Sequence, residues 1–259
     1  KRVSKQGPNG KLLLASFLPS NPGWWNWAWG IYFGGNIMNG DKVTLNSKEN
    51  LRAFEWIAKY TKAYGSKEVQ SFQGGFGNFA SPQDPFMSGK VATEMNGVWK
   101  ANYINVYKPG LKWFAVPMPY PADHPELKDH SNLSQDVLCI PRGAKHVKEA
   151  FEFIRFVQRQ DVMEGLCSAH GKNSPLAKVS EHFFETHPNK YIRLFDRLAR
   201  SPNAFNIPKV GIFPQLSNEM SVAFQEVNSE QKTPKQALDD AQKRAEVIWK
   251  TYQEQVLNQ

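Results

Sequence analysis

Within NPGWWNWAWG, residues 21–30, Trp24, Trp25, Trp27 and Trp29 crowd into six positions of a chain that has eight tryptophans. Pro22 and Gly23 lead into the stretch, and Gly30, Gly34 and Gly35 lead out of it. Residues of these types mark turns and loops, so the cluster does not belong in the interior of a long helix or strand. Any fold for this chain must seat loop-borne indoles against other structure. Two outcomes are open: packing in the core, or a platform on which a flat, half-apolar ligand stacks.

A sugar is one such ligand, with C–H faces that suit aromatic rings and hydroxyls that need polar partners at the rim. Burying about 50–100 Å² against one indole contributes about 1–2 kcal/mol at roughly 25 cal/mol per Å². About two or three such rings, with hydrogen bonds, reach the roughly 8 kcal/mol of a micromolar site.

The rest of the chain alternates strand-like and helix-like segments, the pattern of an α/β protein. GKLLLASFL (10–18) reads as a buried strand. Within 43–65 a short strand precedes a helix. Ser47 caps that helix, Leu51, Phe54, Ile57, Ala58 and Thr61 form its stripe, and Gly65 stops it. Residues 66–82 read as a loop. DPFMSGKVATEMNGVW (84–99) reads as a short helix, a turn at Ser88-Gly89 and a strand at 91–95. A helix over 99–106 follows, then strands at 111–116 and 136–140 on either side of a proline-rich connection. From Lys145 the pattern is helical. Its last helix is capped by Thr233, opens on Pro234 and carries Ala237, Leu238, Ala241, Ala245, Ile248, Trp249 and Tyr252 on one face. The opening KRVSKQG reads as the last turn of a helix.

With 259 residues the chain has room for one large domain or two modest ones. No apolar run reaches the roughly 18–20 residues of a membrane helix. The net charge of +8 raises nucleic acid as a partner, but the basic residues are scattered, so no nucleic-acid binding is expected. Cys139 and Cys167 lack metal or redox spacing, and read either as free thiols or as one bridge. GGFGNFA (74–80) has the form GxGxxA, yet EVQSFQ before it is a poor buried strand, so no dinucleotide is expected there. Walker, HExxH and GxSxG motifs are absent, and the histidines lack the i, i+4 spacing of ligands on one helical face. No cofactor, metal or catalytic residue is expected.

GWWNWAWGIYFGG (23–35), FMSGKVATEMNGVW (86–99), WFAVPMPYP (113–121), DVLCIPRGAKHVKEAFEFIRFV (136–157) and TPKQALDDAQKRAEVIW (233–249) occur in an order that resembles the extracellular solute-binding proteins of ABC-type sugar importers, the maltose-binding-protein-like group. The chain departs from that pattern at Ala92-Thr93, where the family strand usually ends in Ala-Met. The resemblance implies a periplasmic-binding-protein-like α/β fold of two hinged lobes that close on a ligand in the cleft between them. It makes residues 1–132 and 206–259 parts of the second lobe and 133–205 a segment of the first. Most of the first lobe would then lie in an amino-terminal portion outside this sequence. Val137, Leu138, Ile140, Phe151, Phe153, Ile154 and Phe156 are accordingly expected to lack some of their packing partners.

The resemblance further implies non-catalytic binding of a di- or oligosaccharide and its delivery to the permease of an ABC importer. The protein would be monomeric at full length, and periplasmic or a membrane-anchored lipoprotein outside the cell. Carried over to this chain, the ligand-binding residues are Trp24, Trp27, Asn96, Gly97, Trp99, Ser217 and Asn218. Trp25 and Trp29 are left to packing if the stretch is locally extended. The competing readings are a glycan-active enzyme with Glu94 and Asp136 as acid and base, and a structural protein with Trp24 and Trp99 buried.

Overall fold

The computed structural model describes residues 3–257, and Lys1 and Arg2 of the KRVSKQG segment lie outside them. In chain order the elements are β1 (Lys5–Gln6), β2 (Leu12–Leu14), β3 (Met38–Asn39), β4 (Lys42–Val43), α1 (Lys48–Tyr64), α2 (Ser66–Gln73) and α3 (Lys100–Tyr107). They continue with β5 (Ser131–Asn132), α4 (Val147–Val157), α5 (Gln160–His170), α6 (Glu181–Thr186), α7 (Ile192–Ala199), β6 (Ala204–Phe205), α8 (Phe213–Asn228) and α9 (Pro234–Tyr252). They group into two compact units. One lies within Lys1–Met95, Pro119–Lys128 and Ile207–Gln259, the other within Asn96–Met118 and Asp129–Asn206.

The first unit is organised by α1, α8 and α9, which pack on one another. Ser47 caps α1, its hydroxyl accepting from the Asn50 N–H at 3.3 Å, and Gly65 ends the helix at φ 84°. Ala53, Phe54, Ile57 and Thr61 are buried at helical spacing. On α8, Leu216, Met220, Ala223, Phe224 and Val227 are buried. Facing α9 buries Leu238 with Ala237, Ala241 and Ala245, and the three alanines let two helices approach closely. The capping box of Thr233 and Gln236, with Pro234 in the first turn, starts α9 where the sequence places it. Gln242, buried on α9, accepts from the Leu45 N–H at 2.7 Å and donates to the Val43 carbonyl at 2.9 Å. It thereby supplies β4 and the residues after it with hydrogen bonds that a wider sheet would otherwise give.

Strand content is small because the sheets are narrow. β1 with β2 and β3 with β4 are antiparallel pairs, and β5 with β6 is a parallel one. Several expectations are corrected here. Lys5–Gln6 is extended and paired with β2, so the described part of that segment, residues 3–7, is not a helix end. Within 66–82 the chain forms α2, whose apolar stripe is too short to stand out by periodicity. Residues 85–89 are turns rather than a short helix, and the strand expected over 91–95 reduces to one parallel bridge between Val91 and Ala15. Residues 111–116 and 136–140 are in no strand among the described residues. Apolar β-formers become strands only when a partner ladder accepts their backbone groups, and none does here.

The second unit has a core of Val157, Met163, Cys167, Phe183 and Ile192, on which Val98, Leu176, Val179 and Phe184 pack. Both cysteines are free thiols: Cys139 is exposed and Cys167 buried, which settles the alternative left open by sequence. Val137, Leu138, Phe151, Phe153 and Phe156 are all exposed, while Ile140 and Ile154 are half-buried.

His187 is buried in this unit against the Phe183 ring. Its Nδ1 accepts from the Asn189 N–H at 3.0 Å, which leaves Nε2 to donate to the Lys172 carbonyl at 3.2 Å. That pattern needs the neutral ring, and burial lowers the pKa of His187 further. The unfolded chain therefore takes up the proton first as the pH falls. The stability that neutral His187 contributes is complete above the unfolded value of about 6.5 and is lost as the pH drops from there through the lower folded value. Thermal melts between pH 7.5 and 5 are expected to show this loss, with a shallower pH dependence in His187→Gln; equal slopes would refute it.

Candidate functional site

The tryptophan stretch is neither extended nor one helix but two 3₁₀ turns, Asn26–Ala28 and Ile31–Phe33, separated by a bend. Entry is through a cis Asn21-Pro22 peptide and Gly23 at φ 88°, a value that L side chains rarely adopt. The indoles are distributed in several directions, and the condition under which Trp25 and Trp29 are left to packing, a locally extended stretch, is not met.

Trp29 is fully buried at 1% exposure, among Phe17, Tyr32 and Trp56 at ring distances of 6.0, 6.2 and 5.3 Å. Trp27 is 9% exposed, with its ring edge-on to Phe213 at 5.1 Å, where the first turn meets α8. Trp25 is half-buried. Trp24 is the open member at 40% exposure, and it stands perpendicular to Trp25 at 5.5 Å and to Phe79 at 4.6 Å. Edge-to-face contacts of this kind fix a ring's orientation while leaving apolar surface toward solvent.

Polar groups surround the base of this turn. Ser20 Oγ donates to Gln73 Oε1 at 3.2 Å, and Asn21 Nδ2 donates to Glu94 Oε2 at 3.4 Å. Both hydrogen bonds are long, within reach of exchange for a ligand hydroxyl. Ser217 and Asn218 lie in the first half of α8. Ser217 is half-buried with its hydroxyl turned back to the Pro214 carbonyl at 3.0 Å, and Asn218 is exposed. The helix begins at Phe213, one residue before Pro214, so these two residues are inside it rather than at its opening.

Asn96, Gly97 and Trp99 belong to the second unit. Asn96 Oδ1 accepts from the Gly97 N–H at 2.8 Å, a bond that closes the turn. A Cβ at Gly97 would stand 2.3 Å from the six-membered ring of Trp99. Glycine at this position is thus what allows the indole to lie on the backbone, and Trp99 then leads into α3 half-buried.

Asp136 is exposed and paired with Lys172 at 2.6 Å, and that hydrogen bond and charge hold its carboxyl below the usual range. GGFGNFA follows helix α2 rather than a strand, which removes the βα context of a dinucleotide site. Among the described residues no group of three or more His, Cys, Asp or Glu is placed to hold a metal ion.

Phe79 is the site residue that sequence reasoning missed. It comes from that same GGFGNFA loop, whose aromatics were visible but whose arrival on Trp24 depends on tertiary structure.

The family of bacterial extracellular solute-binding proteins matches residues 4–189. Among solved structures the chain is similar to CpMnBP1 with mannobiose bound, with a TM-score of 0.74 and 23% identity over 93% of this chain and 60% of that one. It is also similar to the cyclic alpha-maltosyl-1,6-maltose binding protein of Arthrobacter globiformis, with a TM-score of 0.65 and 17% identity over 94% and 61% of the two chains. The GacH receptor of Streptomyces glaucescens gives 0.63 and 15% over 92% and 60%. The chain thus spans about 60% of the length of the solved structures it matches. At these identities the likeness establishes a shared fold.

Proposed function

Because this chain belongs to the family of bacterial extracellular solute-binding proteins, we propose that it binds a carbohydrate, without transforming it, for delivery to an ABC import permease. The observation that carries the proposal is the exposed Trp24 ring, braced edge-on by Trp25 and Phe79 with hydrogen-bonding side chains at the base of its turn. An aromatic face with polar neighbours matches the two chemistries of a pyranose, and an apolar core contact has no need of that exposure. The similar structures support the ligand class, since CpMnBP1 is seen with mannobiose and with mannotriose and the Arthrobacter protein binds cyclic alpha-maltosyl-1,6-maltose. A di- or oligosaccharide is therefore the proposed ligand.

Trp24 is the principal stacking residue in this reading, Trp27 supports it from the α8 side, and Ser217 and Asn218 offer hydroxyl and amide contacts. Trp99 on Gly97, with Asn96, is a second stacking position. The lobe assignment from sequence, 1–132 with 206–259 against 133–205, is part of the proposal, although residues 96–118 group with 129–206 in the compact units. Among the described residues no helix is long and apolar enough to cross a membrane. The family places the protein in the periplasm or outside the cell. Retention there by a lipid anchor, and action as a monomer, complete the proposal.

A thermal-shift screen of the full-length protein against mono-, di- and oligosaccharides tests it. A sugar at about a hundred times its dissociation constant adds about 2.7 kcal/mol, or roughly 3–5 °C for a protein of this size or larger. The shift is expected for one sugar class, and Trp24→Ala is expected to reduce it strongly. No shift with any sugar would overturn the proposal, and turnover of the bound sugar would replace it with an enzyme.

A further inference from the structure

We propose that the GGFGNFA loop, residues 74–80, is the specificity wall of the Trp24 platform, with Phe79 as the side chain that selects which pyranosides stack there. The inference rests on the reading of Trp24 as a sugar-stacking face and deepens it. Trp24 and Phe79 meet at 4.6 Å with planes at 87°, so together they form an apolar corner rather than a flat surface. Both retain exposure, Trp24 at 40% and Phe79 half-buried. A corner of this shape accepts the C–H face of one sugar ring on one aromatic and an exocyclic methylene or the next ring against the other. A lone indole would accept any pyranose with an apolar face.

The loop is built to hold that ring in place. Lys90 Nζ donates to the Gly75 carbonyl at 2.5 Å and stands 5.8 Å over the Phe76 ring. Gly77 donates its N–H to the Gln83 carbonyl at 3.0 Å, and a Cβ on Gly77 would meet Gln83 Cβ at 2.4 Å. Asn78 Oδ1 accepts from the Ala80 N–H at 2.9 Å, and Ser81 Oγ donates to the Asn78 carbonyl at 2.8 Å. Phe79 therefore sits between backbone positions pinned on both sides, the arrangement in which a side chain discriminates rather than adapts. The same loop begins at the end of α2, where Gln73 holds Ser20 at the foot of the tryptophan turn. Apolar wall and polar rim are thus carried by one continuous segment.

The experiment measures dissociation constants of the full-length protein for mannose, mannobiose, mannotriose and maltotriose by titration calorimetry, in wild type, Phe79→Ala, Phe79→Leu and Gly77→Val. For the sugar that wild type prefers, Phe79→Ala is expected to compress the affinity ratio over the others by about fivefold or more, within the range of apolar-pocket discrimination. Gly77→Val, which forces the loop off Gln83, is expected to compress it likewise. Should Phe79→Ala fold poorly, Phe79→Leu keeps apolar volume without the planar ring and reads the same ratio. A merely structural Phe79 would shift melting temperature and leave the ratio between sugars unchanged. Wild-type binding with ratios preserved within about twofold in the Phe79 variants would overturn the inference and leave the sugar reading standing. Absence of binding by wild type to every sugar would overturn both.

Discussion

Trp29→Ala is expected to lower stability by about 3–5 kcal/mol, the usual cost of emptying a fully buried aromatic site. The rings of Phe17, Tyr32 and Trp56 pack against it, and in a close-packed interior neighbours of that size fill such a space only in part. Trp29→Phe should cost much less than its change in volume suggests, because the buried Trp29 Nε1 has no hydrogen-bond partner among the described residues. Trp24→Ala, at 40% exposure, should stay within about 1 kcal/mol of wild type in stability and lose sugar affinity instead. Urea titrations of the three variants, each with and without the sugar found by thermal shift, check the contrast. If Trp24→Ala destabilised as much as Trp29→Ala, the platform reading would fail and all four tryptophans would become core.

Asn50→Ala is expected to cost about 1–3 kcal/mol, because the side chain is buried and its loss takes the donor from the buried Leu45 carbonyl, while those of Asn36 and Thr44 keep the Thr44 hydroxyl and the Ser47 N–H. Asn50 Nδ2 donates to the carbonyls of Asn36 and Thr44 at 2.9 Å and of Leu45 at 3.0 Å. An amide has two N–H groups, so one of them is shared between two of these acceptors. The side chain fits only because two glycines make way for it. A Cβ on Gly30 would stand 1.7 Å from Asn50 Oδ1, and one on Gly35 would stand 2.3 Å from it. Gly30→Ala is accordingly expected to destabilise comparably, and Asn50→Asp no less than Asn50→Ala, since a buried carboxylate would face three carbonyls. Denaturation midpoints of the three variants decide it. Midpoints near wild type would mean that this connection between the tryptophan turns and α1 contributes little.

These two sites indicate where the sequence is legible. The helices with strong local signals, α1 behind Ser47 and α9 behind Thr233-Pro234, start where their caps predict, because caps and stripes act over a few residues. The glycines and the proline around the tryptophans likewise forecast turns. Family membership followed from the order of several motifs, and with it the sugar-binding proposal. Residues 111–116 and 136–140 have strand-like composition without strand structure, because a strand is completed by a partner that its own residues do not specify. α2 was missed for the opposite reason, since eight residues offer too little periodicity to distinguish a helix from a loop.

For the candidate site the division is similar. By itself the sequence determined that four indoles stand in turns between Pro22 and Gly35, that Gly97 precedes Trp99, and that no catalytic motif accompanies them. Only the tertiary structure decided which indole is buried and which is open. Two 3₁₀ turns, not an extended segment, set the directions of the rings, and the bulk of Phe17, Trp56 and Phe213 filled the space beside Trp29 and Trp27. Phe79 reached Trp24 in the same way, from a loop far along the chain. Turn chemistry is local and is written in neighbouring residues. The exposure of a ring is a sum over whatever else packs nearby, and that sum exists only once the chain has folded.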